Sequence, residues 1–278
     1  MTRRMRIEEQ AAGRKGKERG ELSSNTSSSK RSRHPPRKIR PIQRLYEVCK
    51  EVFASGGPGI VPPDADVERI KAVLDGMTGT NVGLNPDMPV FSKTLNQRAI
   101  ITYLQVYECD KFSIVLFCLP PTAVIPLHNH PGMTVFSKLL FGSMRIKSYD
   151  WEVDVSSEVQ PSSGARLAKV KVDSDFTAPC NTSILYPADG GNLHCFTALT
   201  SCAVLDVLGP PYSNPDGRDC TYYYDFPFSK FPADGVAVPE EGKEQYAWLK
   251  EREMKAADLP VVTNQYIGPK PKIKTANK

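Results

Sequence analysis

Two imidazoles stand one residue apart in "PLHNHPG", residues 126–132, of a 278-residue chain that holds only four histidines. In an extended segment, residues i and i+2 project from the same face, about 6.5–7 Å apart along the backbone, so His128 and His130 can reach one ion. The spacing alone is a weak signal, because surface and core histidines also fall at it. The remaining histidines strengthen it. His194 follows Gly190-Gly191 in "YPADGGNLHCF", where two glycines permit a tight turn directly before a strand, and His34 belongs to a basic N-terminal stretch. Every histidine beyond that stretch therefore sits in the HxH pair or after the Gly-Gly turn. Three imidazoles suit zinc, copper, nickel or iron and disfavour calcium and magnesium, which take oxygen ligands.

Two further residues have types and positions that suit chemistry. Asp206 interrupts the apolar run "CAVLDVL" between Leu205 and Val207. Burying it is costly without a partner, so it either pairs with a substrate ammonium or a ligand imidazole, or points outward from an edge strand. Tyr212, after Pro210-Pro211, either donates a hydrogen bond to a bound ligand or fills core. Cys220 and the following "TYYYDF" either line the same mouth or pack.

The elements that must position these groups are mainly strands. "PIQRLYEVCKEVFAS" places Ile42, Leu45, Val48, Cys49 and Phe53 near one helical face, with Pro41 at the start. "DADVERIKAVLDG" predicts a second helix, capped by Asp64 or Asp66 and stopped by Gly76. After about Asn96 the apolar period becomes two. "AIITYLQVYE", "FSIVLFCL", "SMRIKSYDW", "LAKVKV", "TSILY", "HCFTALT" and "CAVLDVL" predict about ten short strands with no long helix between them, hence an antiparallel sandwich or barrel. Residues 152–166 are expected to form a long hairpin excursion, at the rim of the mouth. "PEEGKEQYAWLKEREMKAA" is helical by composition, and "GPKPKIKTANK" predicts a loose basic end. The expected division is a basic tail over 1–40, a barrel domain over 41–240, and a C-terminal helix with a loose tail over 241–278.

Charge and cysteine usage bound the function. Residues 1–40 carry thirteen Lys/Arg against four Glu, so the +5 of the whole chain becomes −4 on the remainder. The tail has too few large apolar residues to offset the entropy of ordering and is expected to be disordered. "KRSRHPPRKIR", residues 30–40, suits a nuclear importer, weak contact with nucleic acid, or plain solvation. Glu8, Glu9, Glu18 and Glu21 argue against a transit peptide. The acidic body lacks a basic stripe, so any nucleic-acid binding is confined to the tail. No apolar run is long enough to span a bilayer, and the expectation is a soluble, intracellular monomer without membrane partners. Seven cysteines, widely spaced and without a CxxC pair, suit a reducing compartment.

"PLHNHPGMTVFSKLLFG" resembles the first cupin motif, an HxH pair followed by a glutamate and a glycine. The glycine is Gly142, but the glutamate slot falls at Thr134 or Val135, so the carboxylate is missing. "YPADGGNLH" resembles the second cupin motif, with the proline-to-histidine spacing lengthened. An all-histidine donor set leaves a divalent charge uncompensated and invites an anionic substrate ligand such as a thiolate. Together with "KLLFGSMRIKSYDW", "LYPADGGNLHCFTA" and "AVLDVLGPPY", these stretches resemble the cysteamine dioxygenase branch of thiol dioxygenases, plant cysteine oxidases above all, from about Pro41 to Pro239. That resemblance implies a cupin-type double-stranded β-barrel and Fe(2+) on His128, His130 and His194, with Asp206 and Tyr212 as catalytic residues. It implies oxidation of a protein's N-terminal cysteine to the sulfinic acid with O2 as co-substrate. The sulfinate would mark group VII ethylene response transcription factors for arginylation and degradation through the N-degron pathway, in nucleus and cytoplasm, so that turnover follows oxygen supply in hypoxia. Free small thiols, cysteamine or cysteine, are the alternative substrates, and a non-catalytic nuclear binding module is the alternative of another class.

Overall fold

The computed structural model describes residues 39–92, 99–152, 164–231, 242–255 and 258–273. The described residues fall in one compact unit. The expected tail, apart from its last two positions, and residues 153–163 of the expected excursion lie outside the described residues.

Proline's fixed φ starts α1 (Pro41–Val52), which buries Ile42, Leu45, Tyr46, Cys49 and Val52 as one stripe. Helix α2 (Asp64–Asp75) buries Val67, Ile70 and Leu74. Pro63 holds its cap position, so Asp64 is the first helical residue rather than the cap, and no side chain caps the helix. Asp64 and Asp66 still favour that end through the helix dipole.

Among the described residues twelve strands follow: β1 (Ile101–Cys109), β2 (Phe112–Leu119), β3 (Val124–His128), β4 (Thr134–Phe141), β5 (Ser143–Trp151), β6 (Arg166–Thr177), β7 (Ser183–Leu185), β8 (Leu193–Ala198), β9 (Cys202–Gly209), β10 (Tyr222–Pro227), β11 (Tyr246–Arg252) and β12 (Val261–Asn264). One sheet has the order β12-β1-β2-β9-β4-β7, and the other closes as β10-β11-β6-β5-β8-β3. This is the cupin-type double-stranded barrel, antiparallel except where β12 runs parallel to β1. Gly142 makes the tight β4–β5 turn at φ +85°, where a Cβ would lie 2.2 Å from the Ser201 carbonyl oxygen.

Strand β9 is buried along its whole length, so it serves two cores. Ala203, Leu205 and Val207 join the cluster beneath α1 and α2. Leu208 packs inward with Val115, Met133, Val135 and Leu185, and alternation places Asp206 on the same inward face.

The C-terminal segment corrects the expectation of a helix. Tyr246–Arg252 is β11, paired with β6 on one side and β10 on the other. Its Glu and Lys residues favour helix locally, but the "AWL" run decides the outcome. Ala247, Trp248 and Leu249 are all buried, and Trp248 Nε1 donates to Phe228 O at 2.9 Å. Tertiary pairing overrides propensity here. With β11 in the barrel and β12 on the other sheet, residues on both sides of position 240 belong to one unit.

Candidate metal centre

The three histidines reach one point by three different devices. Ile125 of β3 faces Phe196 of β8, and His128 faces His194, so three residues on β3 match two on β8. This bulge turns His128 to the inward face that Ile125 occupies, whereas plain alternation would have put Leu127 there. His130 lies just past the strand, and Asn192 grips its backbone: His130 N–H donates to Asn192 Oδ1 (3.0 Å) and Asn192 Nδ2 donates to His130 O (2.9 Å). Asn192 Nδ2 also donates to Tyr186 O at 2.8 Å. The turn before His194 is fastened to β5, because Asp150 Oδ1 accepts the Gly191 and Asn192 N–H groups at 2.9 and 3.0 Å. Gly191, at φ +84°, lies so close to β5 that a Cβ would sit 2.4 Å from Ser148 Oγ.

The rings converge as expected. Their centroids are 4.7–4.9 Å apart, the candidate ligand atoms all lie within 4.8 Å of one another, and all three residues are buried. His128 Nδ1–H donates to Pro126 O at 2.8 Å. Tyr212 Oη donates to Asn129 O at 2.7 Å and lies 2.9 Å from His130 Nδ1. With its hydrogen directed at Asn129, the tyrosine oxygen accepts from His130 Nδ1–H. Both partners thus select the tautomer that leaves Nε2 free as a ligand. Burial lowers the His128 pKa to about 4, and burial plus mutual repulsion holds His130 and His194 well below the usual 6.5. The rings are neutral near pH 7, as metal ligands must be.

The place of the missing cupin carboxylate is apolar. Val135 faces inward opposite Leu208 and Leu185, while Thr134, opposite Gly209, falls on the other face by alternation. Among the described residues no acid joins the donor cluster.

Asp206 does not point outward from an edge strand. It lies mid-sheet, 4% exposed, and lines the same cavity as the histidines. Burial pushes its carboxyl up to about 7, against a hydrogen bond from Ser137 that lowers it, and Oδ1 has no hydrogen-bond partner among the described residues. Tyr212 is half-buried, with its phenol pushed well above 10 by desolvation, so it stays a neutral O–H. Its hydrogen bonds to Asn129 O and His130 Nδ1 let it orient His130.

These groups share a cavity of about 330 Å³ whose wall includes Tyr103, Phe117, Cys220, Tyr222 and Leu259. Cys220 and Tyr222 thus line the mouth as well as pack. A larger cleft of about 570 Å³, on the outer face of β5, β10 and β11, holds no histidine. Asn192, Asp150 and Ser137 escaped the sequence reading; the only hint of the first was its place between the glycines and His194.

The PCO_ADO family model matches residues 73–271. "Plant cysteine oxidase 2" of Arabidopsis thaliana is 60% identical over 254 residues, covering 90% of this chain and 91% of its own. "Plant cysteine oxidase 1" of the same plant is 56% identical, over 84% of this chain and 80% of its own. Human "2-aminoethanethiol dioxygenase" is 29% identical, over 66% of this chain and 79% of its own.

Proposed function

The chain belongs to the PCO_ADO family, and from that membership we propose that it is an iron-dependent thiol dioxygenase that converts the N-terminal cysteine of target proteins to cysteine sulfinic acid. One observation carries the reading: three neutral, buried imidazoles, with no carboxylate in the donor cluster among the described residues, at the wall of a cavity with room for a peptide end. The donor set fits a borderline-soft divalent ion and leaves coordination positions and positive charge to be met by substrate. Ferrous iron bound there would supply a redox-active centre for a thiolate and dioxygen together.

The chain's own residues do the rest. Pro126 and Tyr212 fix the tautomers of His128 and His130, and Asn192 locks the HxH turn to the turn that carries His194. Asp206 offers its unpartnered oxygen to the α-ammonium of the entering cysteine, and that ammonium stabilises the ionised carboxylate. Val115, Val135 and Leu208 keep the surroundings of Asp206 apolar and exclude water from the interior.

The substrates proposed are group VII ethylene response factors, the sulfinate feeding the N-degron pathway in hypoxia, in nucleus and cytoplasm. The plant relatives and the basic run at residues 30–40 support this reading. The test is direct: iron-loaded protein, a short peptide beginning with cysteine, and air should give a product heavier by two oxygen atoms. No mass gain with iron bound removes the proposal. Parallel rates on cysteamine and free cysteine test the peptide preference, which is expected to appear in kcat/KM.

A further inference from the structure

Strand β1 carries its own bulge. Tyr103 faces Phe117 and Gln105 faces Val115, but it is Glu108, not Tyr107, that faces Ser113. The extra residue re-aims the strand end. Tyr107 turns to the helix side, edge-on to Tyr46 at 4.8 Å, and Glu108 joins Ser113, Val115 and Phe117 on the wall of the histidine cavity. Glu108 is exposed and has no ion-pair partner among the described residues.

The charge balance of that wall is one-sided. Among the described lining residues, Glu108 at the solvent-facing end and Asp206 deep inside are the acids, and no lysine or arginine stands with them. Arg252, the cation that acts on Tyr222, is held elsewhere, over the Tyr224 ring at 4.8 Å and bonded to Met254 Sδ at 2.8 and 3.1 Å. A chain entering with its ammonium toward Asp206 must leave past an unpaired carboxylate.

We propose that Glu108 is a specificity-determining residue that favours substrate peptides with a basic side chain shortly after the N-terminal cysteine and disfavours acidic ones there. The inference rests on the proposed function. An exposed ion pair is a modest effect, but lysine against glutamate counts attraction on one side and repulsion on the other, so about tenfold in kcat/KM is expected. The discrimination should shrink in high salt, because the mouth is open to ions.

The experiment uses the iron-loaded full chain and a cysteine-glycine peptide series with lysine or glutamate at positions two, three and four in turn. Wild type should prefer lysine about tenfold at one or more positions. The ratio should fall to near unity in Glu108→Gln and invert in Glu108→Lys. Because it is a ratio within one preparation, lower iron content or partial misfolding cancels from it. A wild-type ratio below twofold at all three positions, or one unchanged in Glu108→Gln, overturns the inference alone. Failure to oxidise even the all-glycine peptide overturns the functional reading and this inference with it.

Discussion

The two faces of β9 are both buried, yet they are built on opposite rules. Toward α1 and α2, Ala203, Leu205 and Val207 meet Leu45, Ile70 and Phe136 in a cluster where shape and apolar area are the whole design. Toward the barrel interior, the same strand presents Asp206 beside three histidines, four buried polar groups whose desolvation opposes folding. The first face supplies the stability that the second draws on. A strand with both faces buried lets one hold a costly arrangement because the other packs without compromise.

The largest effect is expected of His194→Ala. It should abolish metal binding and turnover while the helix-side core stays folded; metal analysis with a cooperative thermal transition checks it, and wild-type iron stoichiometry would refute the ligand set. Leu205→Ala tests the opposite face. A buried leucine truncated beneath two helices should cost about 2–5 kcal/mol in urea unfolding, with iron still bound by the folded fraction.

Acid sharpens the contrast further in metal-free protein. Above pH 6.5 neither the folded nor the unfolded chain protonates His128. Below 6.5 the unfolded chain takes up a proton that the buried ring refuses until about 4, so stability falls as pH falls through that window, by roughly 3 kcal/mol. Asp206 has the opposite sign. Its folded form keeps a proton up to about 7 that the unfolded chain releases near 3.8, so its contribution is lost as pH rises between those values. Asp206→Asn should therefore make the acid-side loss steeper, as urea midpoints across pH 4–7 would show.

At neutral pH, Asp206→Asn should leave stability equal or higher while kcat/KM for a cysteine peptide falls on the order of 100-fold, since an ammonium loses its buried acceptor. Unchanged kinetics would return Asp206 to a structural role. The smallest effect belongs to Tyr212→Phe, which removes the acceptor for His130 Nδ1–H together with the donor to Asn129 O. It should weaken metal binding about tenfold without unfolding the chain, measured by competition with a chelator.

The legibility of the site follows the range of the forces involved. His128, His130 and His194 stood out because so few histidines exist and two lie at strand spacing. Asp206 and Tyr212 stood out as polar residues within or beside apolar strands. Asn192 and Ser137 did not, because their roles arise only when residues 62 and 69 positions away arrive beside them. The same holds for the strand Tyr246–Arg252: its charged composition favours helix, and only the open edges of β6 and β10 make it a strand.

By itself the sequence determined the donor set, its lack of a carboxylate, the β-rich period and the terminal charge, since these are properties of residue type and local spacing. The tertiary structure decided which side chains turn inward. The bulges at His128 and Glu108 and the Asn192 bridge depend on how many residues of one strand oppose those of another, and register between distant strands is a quantity no local stretch contains.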